Sequence, residues 1–167
     1  VDIGVADPLE DCHEVHPLIR KKVRSGTRNF VKEPAMTREE VQKALQVGIG
    51  LVKELKEQDY HLIALGEMGI GNTTTSSAVA CAILGLEPER MTGRGVGLSD
   101  EGLKKKQRVI REALAHYAPD PADGIGVLSA VGGLDLAGLA GVCIGGAMYH
   151  VPVVLDGVIT AAAALAA

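Results

Sequence analysis

Residues 61–84 read HLIALGEMGIGNTTTSSAVACAIL: an apolar run, three glycines within six residues, a threonine triplet and a second apolar run. HLIALG has the length and composition of a buried strand, and residues 73–84 have those of a helix. A strand that runs through a glycine turn into a helix is half of a parallel βαβ unit. The pattern recurs near the end of the chain, where VPVVLD reads as a buried strand and GVITAAAALAA as the helix after it. VDIGV at the start reads as a third buried strand. These alternations predict an α/β layered fold in one domain over residues 1–167. About three strands are few for a free-standing sheet, and Ala167 falls in helical composition, so the chain is expected to be part of a longer protein.

The remaining elements follow from local signals. Residues 6–36 carry Pro8, Pro17 and Pro34 and read as an extended loop with at most one short helix. Thr37 opens a helix, with Glu40 three residues on to complete a capping box. Val41, Leu45, Gly48, Val52 and Leu55 share its apolar face. GLEPERMTGRGVG reads as irregular. Ser99 or Asp100 caps a helix to about Tyr117, and residues 122–148 read as two helices broken at Gly132–Gly133.

Composition narrows the function. Apolar residues make up 47% of the chain and aromatics 2%, so the core is built from Leu, Val, Ile and Ala. The net charge is −4, with the basic residues spread along helices, which argues against duplex nucleic acid as a partner. No uninterrupted apolar stretch is long enough to span a bilayer, so no membrane partner is expected. Cys12, Cys81 and Cys143 are irregularly spaced, as free thiols of a reducing, cytoplasmic compartment would be. Cys12, His13 and His16 have metal-like spacing but no second half to complete four ligands, and no metal is expected.

The glycine turn is where chemistry is expected. A helix N-terminus presents unpaired N–H groups and the positive end of the helix dipole. Gly69 and Gly71 let those amides approach an anion, and Asn72, Thr73, Thr74 and Thr75 add donors and caps. Gly66, Gly71 and Thr73 fit a P-loop, but Asn72 stands where its lysine would be. A single phosphate fits better than ATP. The alternative is a plain βα turn whose glycines only allow tight packing.

Glu67 follows the first of these strands directly, at the end where α/β sheets bind ligands. Asp156 occupies the equivalent place after VPVVL. Two carboxylates beside a phosphate cradle suggest that positive charge or a proton is handled there. Asp156 reads equally well as an Asp-Gly turn or helix cap. On the helix from Asp100, Lys106 falls on the inward stripe with Leu103, Ile110, Ala113, Leu114 and Tyr117. A lysine there must snorkel or meet an anion. GRGVG at 93–97 is a further anion-friendly loop with Arg94 available.

SGTRNFVKEPAMTREE, GEMGIGNTTTSSA, GRGVGLSDEGLKKK, AVGGLDLAGLAG and VPVVLDGVITAAAALAA, in this order, resemble the nicotinate-nucleotide–dimethylbenzimidazole phosphoribosyltransferase family of cobalamin biosynthesis. The resemblance runs nearly end to end. It implies a Rossmann-like three-layer fold with a mostly parallel sheet, a homodimer, and no cofactor. It also implies transfer of ribose 5-phosphate from nicotinate mononucleotide to 5,6-dimethylbenzimidazole. Glu67 matches the glutamate of the family's turn, Gly69 and the Asn72–Thr73 pair match its phosphate-facing part, and Lys106 matches the lysine taken to meet the phosphate; Gly71 is expected to share in the phosphate anchor. Asp156 and Gly157 are expected to contact ribose or order the loop. The family's usual catalytic-base glutamate lies in a C-terminal Gly-Glu-Gly-type segment that these residues do not include. The alternative function is a non-catalytic phosphate- or nucleotide-binding module.

Overall fold

Thr37 opens the first helix through its hydroxyl, which accepts the Glu40 N–H, while the Glu40 carboxylate accepts the Thr37 N–H at 2.8 Å. This capping box starts α1 (Arg38–Glu57), whose buried face is Val41, Ala44, Leu45, Gly48 and Val52. The structure is a computed structural model that describes residues 1–9, 18–95 and 97–167. Strand β1 (Ile63–Ala64) follows, then α2 (Thr73–Leu84), α3 (Pro88–Met91), α4 (Asp100–Tyr117), α5 (Gly124–Val131), α6 (Leu134–Tyr149), β2 (Val153–Val154) and α7 (Val158–Leu165). β1 and β2 pair in parallel, Ile63 opposite Val153 and Ala64 opposite Val154. The fold class is α/β, rich in helix, with a small parallel sheet.

The helix boundaries agree with their local signals. Ser99 caps α4 by accepting the Gly102 N–H, and Gly132–Gly133 separates α5 from α6. Gly85 ends α2 in the left-handed conformation at φ 61°. The stretch read as irregular contains α3, a single turn with Pro at its first position.

The strands are shorter than expected. HLIALG forms only β1 and VPVVLD only β2, although Ile63 N–H and Leu65 N–H extend the pairing to the Pro152 and Val154 carbonyls. Leu62, Val154 and Leu155 are exposed rather than buried. VDIGV is not a buried strand: it makes one isolated parallel bridge, Asp2 with Arg20, and Val1 and Val5 are exposed. The reason is Asp2, whose buried carboxylate accepts the Gly4 and Val5 N–H groups at 3.1 and 3.0 Å and so turns the chain. Burial pushes this carboxyl up, but those hydrogen bonds and the Lys22 ammonium at 3.4 Å outweigh it, and its pKa is lowered.

α1 and α6 pack at backbone distance. A Cβ on Gly48 would stand 2.1 Å from the Gly138 carbonyl oxygen, so only glycine admits this approach. Met36, Ile110, Leu128 and Leu136 are fully buried in the main core, which joins α1, α2, α4, α5, α6 and α7. A smaller cluster, Val52, Leu65, Val142 and Val151, seats the sheet on α1 and α6. This packing sets the N-terminal ends of α2 and α6, and Lys106 of α4, beside the glycine turn.

Candidate functional site

The turn between β1 and α2 is built on left-handed glycines: Gly69 has φ 76° and Gly71 φ 82°. An L side chain at either would strain the backbone by about 1–2 kcal/mol. No atom lies within 4 Å of where a Cβ on Gly66 or Gly71 would stand, so the backbone there is open to approach. Met68 and Ile70 point outward.

At the start of α2 no side chain caps the helix. Asn72 stands at the N-cap position but its side chain does not cap, contrary to expectation, because two carboxylates share its amide. Thr75 and Ser76 also fail to cap forward; both hydroxyls donate back to the Asn72 carbonyl, at 2.9 and 2.8 Å. The first-turn N–H groups of α2 therefore face the turn without a side-chain acceptor.

Lys106 reaches this point from α4. Its ammonium donates to Thr73 Oγ1 at 2.9 Å and to the Gly93 carbonyl at 3.3 Å. The side chain is only 8% exposed, and among the described residues no carboxylate pairs with it. Burial lowers its pKa from the ordinary lysine value. The inward stripe of α4 thus carries a lysine, while Lys104, Lys105, Arg108 and Arg111 face solvent. Gly95, at φ 56°, brings the loop after α3 over Thr73. Arg94 is turned away from the cradle and pairs with Asp100.

The acidic side lies next to the basic one. Asn72 Nδ2 donates to Glu67 Oε2 at 2.6 Å and to Asp135 Oδ2 at 2.8 Å. The second carboxylate at Glu67 is therefore Asp135, from the first turn of α6, which the sequence reading missed. Its only sequence signal is its place just after the Gly132–Gly133 break. Asp156 stands at the same end of β2 but is exposed; Thr160 Oγ1 accepts the Asp156 and Gly157 N–H groups at 2.9 and 3.0 Å. Gly157, not Asp156, is the N-cap of α7.

The structure thus brings Glu67, Asn72, Thr73 and Lys106 together around the turn that carries Gly69 and Gly71. One flank offers a buried cation and free amides, the other two carboxylates. Such a site suits a ligand with an anion at one end and positive charge at the other. Cys12, His13 and His16 lie outside the described residues. Cys81 and Cys143 are free thiols; burial pushes Cys81 up to about 11, which leaves it inert.

A family model described as phosphoribosyltransferase matches residues 1–167. Nicotinate-nucleotide–dimethylbenzimidazole phosphoribosyltransferase of Acetivibrio thermocellus is 51% identical across the whole chain, which covers 46% of that protein. The protein of the same name from Geobacter sulfurreducens is also 51% identical, with 47% of its length covered. The crystal structure of CobT from Thermus thermophilus superposes with TM-score 0.90 at 40% identity, over 99% of this chain and 48% of that one. The chain thus spans about half the length of the relatives it matches. It belongs to the nicotinate-nucleotide–dimethylbenzimidazole phosphoribosyltransferase family.

Proposed function

We propose that these residues form the phosphoribosyl-binding core of an enzyme of cobalamin lower-ligand synthesis. It transfers ribose 5-phosphate from nicotinate mononucleotide to 5,6-dimethylbenzimidazole, giving α-ribazole 5′-phosphate and nicotinate. The observation that carries this reading is Lys106, a buried ammonium with no carboxylate partner among the described residues, held against the uncapped start of α2. A buried cation without a counter-charge is costly, and a phosphate supplies one. Thr73 and the amides beside Gly71 and Asn72 share in binding it. Asn72 contributes through its backbone N–H, since its side chain is engaged.

The chemistry divides between the two flanks. The C1′–N1 bond breaks with its electron pair going to the pyridinium nitrogen, so nicotinate leaves without needing an acid. C1′ gains positive charge as the bond opens, and Glu67 stabilises it. An azole nitrogen of the incoming base forms the new bond to C1′, and its N–H proton passes to a carboxylate base. Glu67 is a candidate for either role. Asp156 and Gly157 order the loop beside the ribose. The intact protein is proposed to be a cytoplasmic homodimer whose Rossmann-like sheet extends beyond β1 and β2.

The test is formation of α-ribazole 5′-phosphate from both substrates by the complete gene product. Product that depends on Lys106 and Glu67 supports the reading. Binding of nicotinate mononucleotide without turnover under any condition makes the protein a nucleotide-binding module instead.

A further inference from the structure

We infer that Asp135 is a positioning residue that holds Glu67 in place through the Asn72 carboxamide, and that Gly133 is required to make room for it. The inference rests on the reading that Glu67 takes part in the transfer.

Glu67 stands on a turn of glycines, and Asn72 is its one hydrogen-bond partner among the described residues. A carboxylate so placed is held in one geometry only if that partner is itself held. Asn72 is 9% exposed, and its two Nδ2 protons are divided between Glu67 and Asp135. Its Oδ1 is buried with no partner. A buried acceptor left unpaired is unfavourable, so the two Nδ2 hydrogen bonds to carboxylates are what hold the amide in this orientation. The two carboxylates impose it: turning the amide over would set Oδ1 against both negative charges. Asp135 therefore fixes which edge of Asn72 faces Glu67.

Gly133 adds an independent observation. Its φ is −143°, open to any residue, so the backbone does not demand glycine. A Cβ there, however, would stand 2.5 Å from Asp135 Oδ1. The position is kept clear for that carboxylate. Alanine at 133 would push the Asp135 carboxylate aside and loosen Asn72.

The test uses the complete gene product with Asp135→Ala, Asp135→Asn, Gly133→Ala, Glu67→Gln and the Glu67→Gln/Asp135→Ala pair. Asp135→Ala and Gly133→Ala should each lower kcat roughly 10- to 100-fold. KM for nicotinate mononucleotide should hardly change. Asp135→Asn, which keeps an acceptor for Nδ2, should restore much of the loss, although it removes the same charge from the α6 N-terminus. If Asp135 only served the helix dipole, both Asp135 variants would lose thermal stability alike and kcat would not separate them. Adding Asp135→Ala to Glu67→Gln should cost nothing further. Wild-type kcat in Asp135→Ala beside a crippled Glu67→Gln, or equal losses in both backgrounds, overturns the inference alone. Wild-type turnover in Glu67→Gln removes Glu67 from the mechanism and this inference with it.

Discussion

Two helix starts in this chain solve the same electrostatic problem in opposite ways. At α1 the Thr37 hydroxyl and the Glu40 carboxylate close the box. Arg28 donates to Glu40 at 2.7 Å and Arg24 at 3.2 Å, so the carboxylate is itself neutralised. At α2 no side chain caps the helix, and a buried ammonium is added to the positive end of the dipole. The first arrangement is complete without a ligand. The second concentrates positive charge, and an anion completes it. Where the protein satisfies its own termini it is stabilising a fold; where it leaves one open beside a cation it is prepared to bind.

The sharpest way to break this contrast is Lys106→Met. Affinity for nicotinate mononucleotide should fall by about 100-fold, the scale of a lost charge-assisted hydrogen bond in a buried site. The thermal midpoint without ligand should hold or rise, because an uncompensated buried charge has been removed. Calorimetric titration and thermal unfolding of the same preparation would show both. The pH dependence carries the same sign. Burial lowers the folded pKa of Lys106 below 10.5, so the unfolded chain binds the proton more tightly. This group's contribution to stability therefore rises as pH climbs towards 10.5, and bound phosphate should remove that rise.

Glu40→Gln attacks the other helix start and should do the reverse. Hydrogen bonding to Arg28, foremost, holds the Glu40 carboxyl at about 2. That stability is fully present above the ordinary value of 4.5 and is lost as pH falls towards 2. The variant should unfold about 2 kcal/mol more easily at neutral pH, allowing for partial exposure. Its affinity for nicotinate mononucleotide should not change. Chemical denaturation at neutral and acid pH, set beside titration, would separate the two effects.

How far the sequence revealed these two starts depends on the range of the forces involved. Thr37 with Glu40, Ser99 and the Gly132–Gly133 break act within a turn or two, so the helices they bound could be read directly. Lys106 was visible because helical periodicity placed it among Ile110 and Ala113. The two paired strands were legible in place and direction but not in length, because apolar runs such as VPVVLD record a capacity to pair, while strand length depends on the partners present. VDIGV misled for a similar reason: a side chain, Asp2, takes the amides that a ladder would use. Asp135 meets Asn72 across 63 residues, and an acid early in a helix looks alike at every helix. Its role became legible only once α2 and α6 were packed together.

Smaller effects sharpen the comparison. Gly71→Ala places a Cβ on a backbone at φ 82°, which should cost about 1 kcal/mol of stability and weaken phosphate binding as the turn shifts. Helix ends far from the site should affect stability only. Ala118 at φ 39° and His150 at φ 56° end α4 and α6 in the left-handed region that glycine prefers. Glycine at either should raise stability by up to about 1 kcal/mol, read as a higher thermal midpoint with unchanged kcat.

The most direct test of the account is a crystal structure of the complete gene product with nicotinate mononucleotide bound. The account predicts the 5′-phosphate over the first-turn amides of α2, within hydrogen-bond reach of Lys106 Nζ, with C1′ facing Glu67. A phosphate bound elsewhere, with Lys106 still joined only to Thr73 and the Gly93 carbonyl, would contradict it.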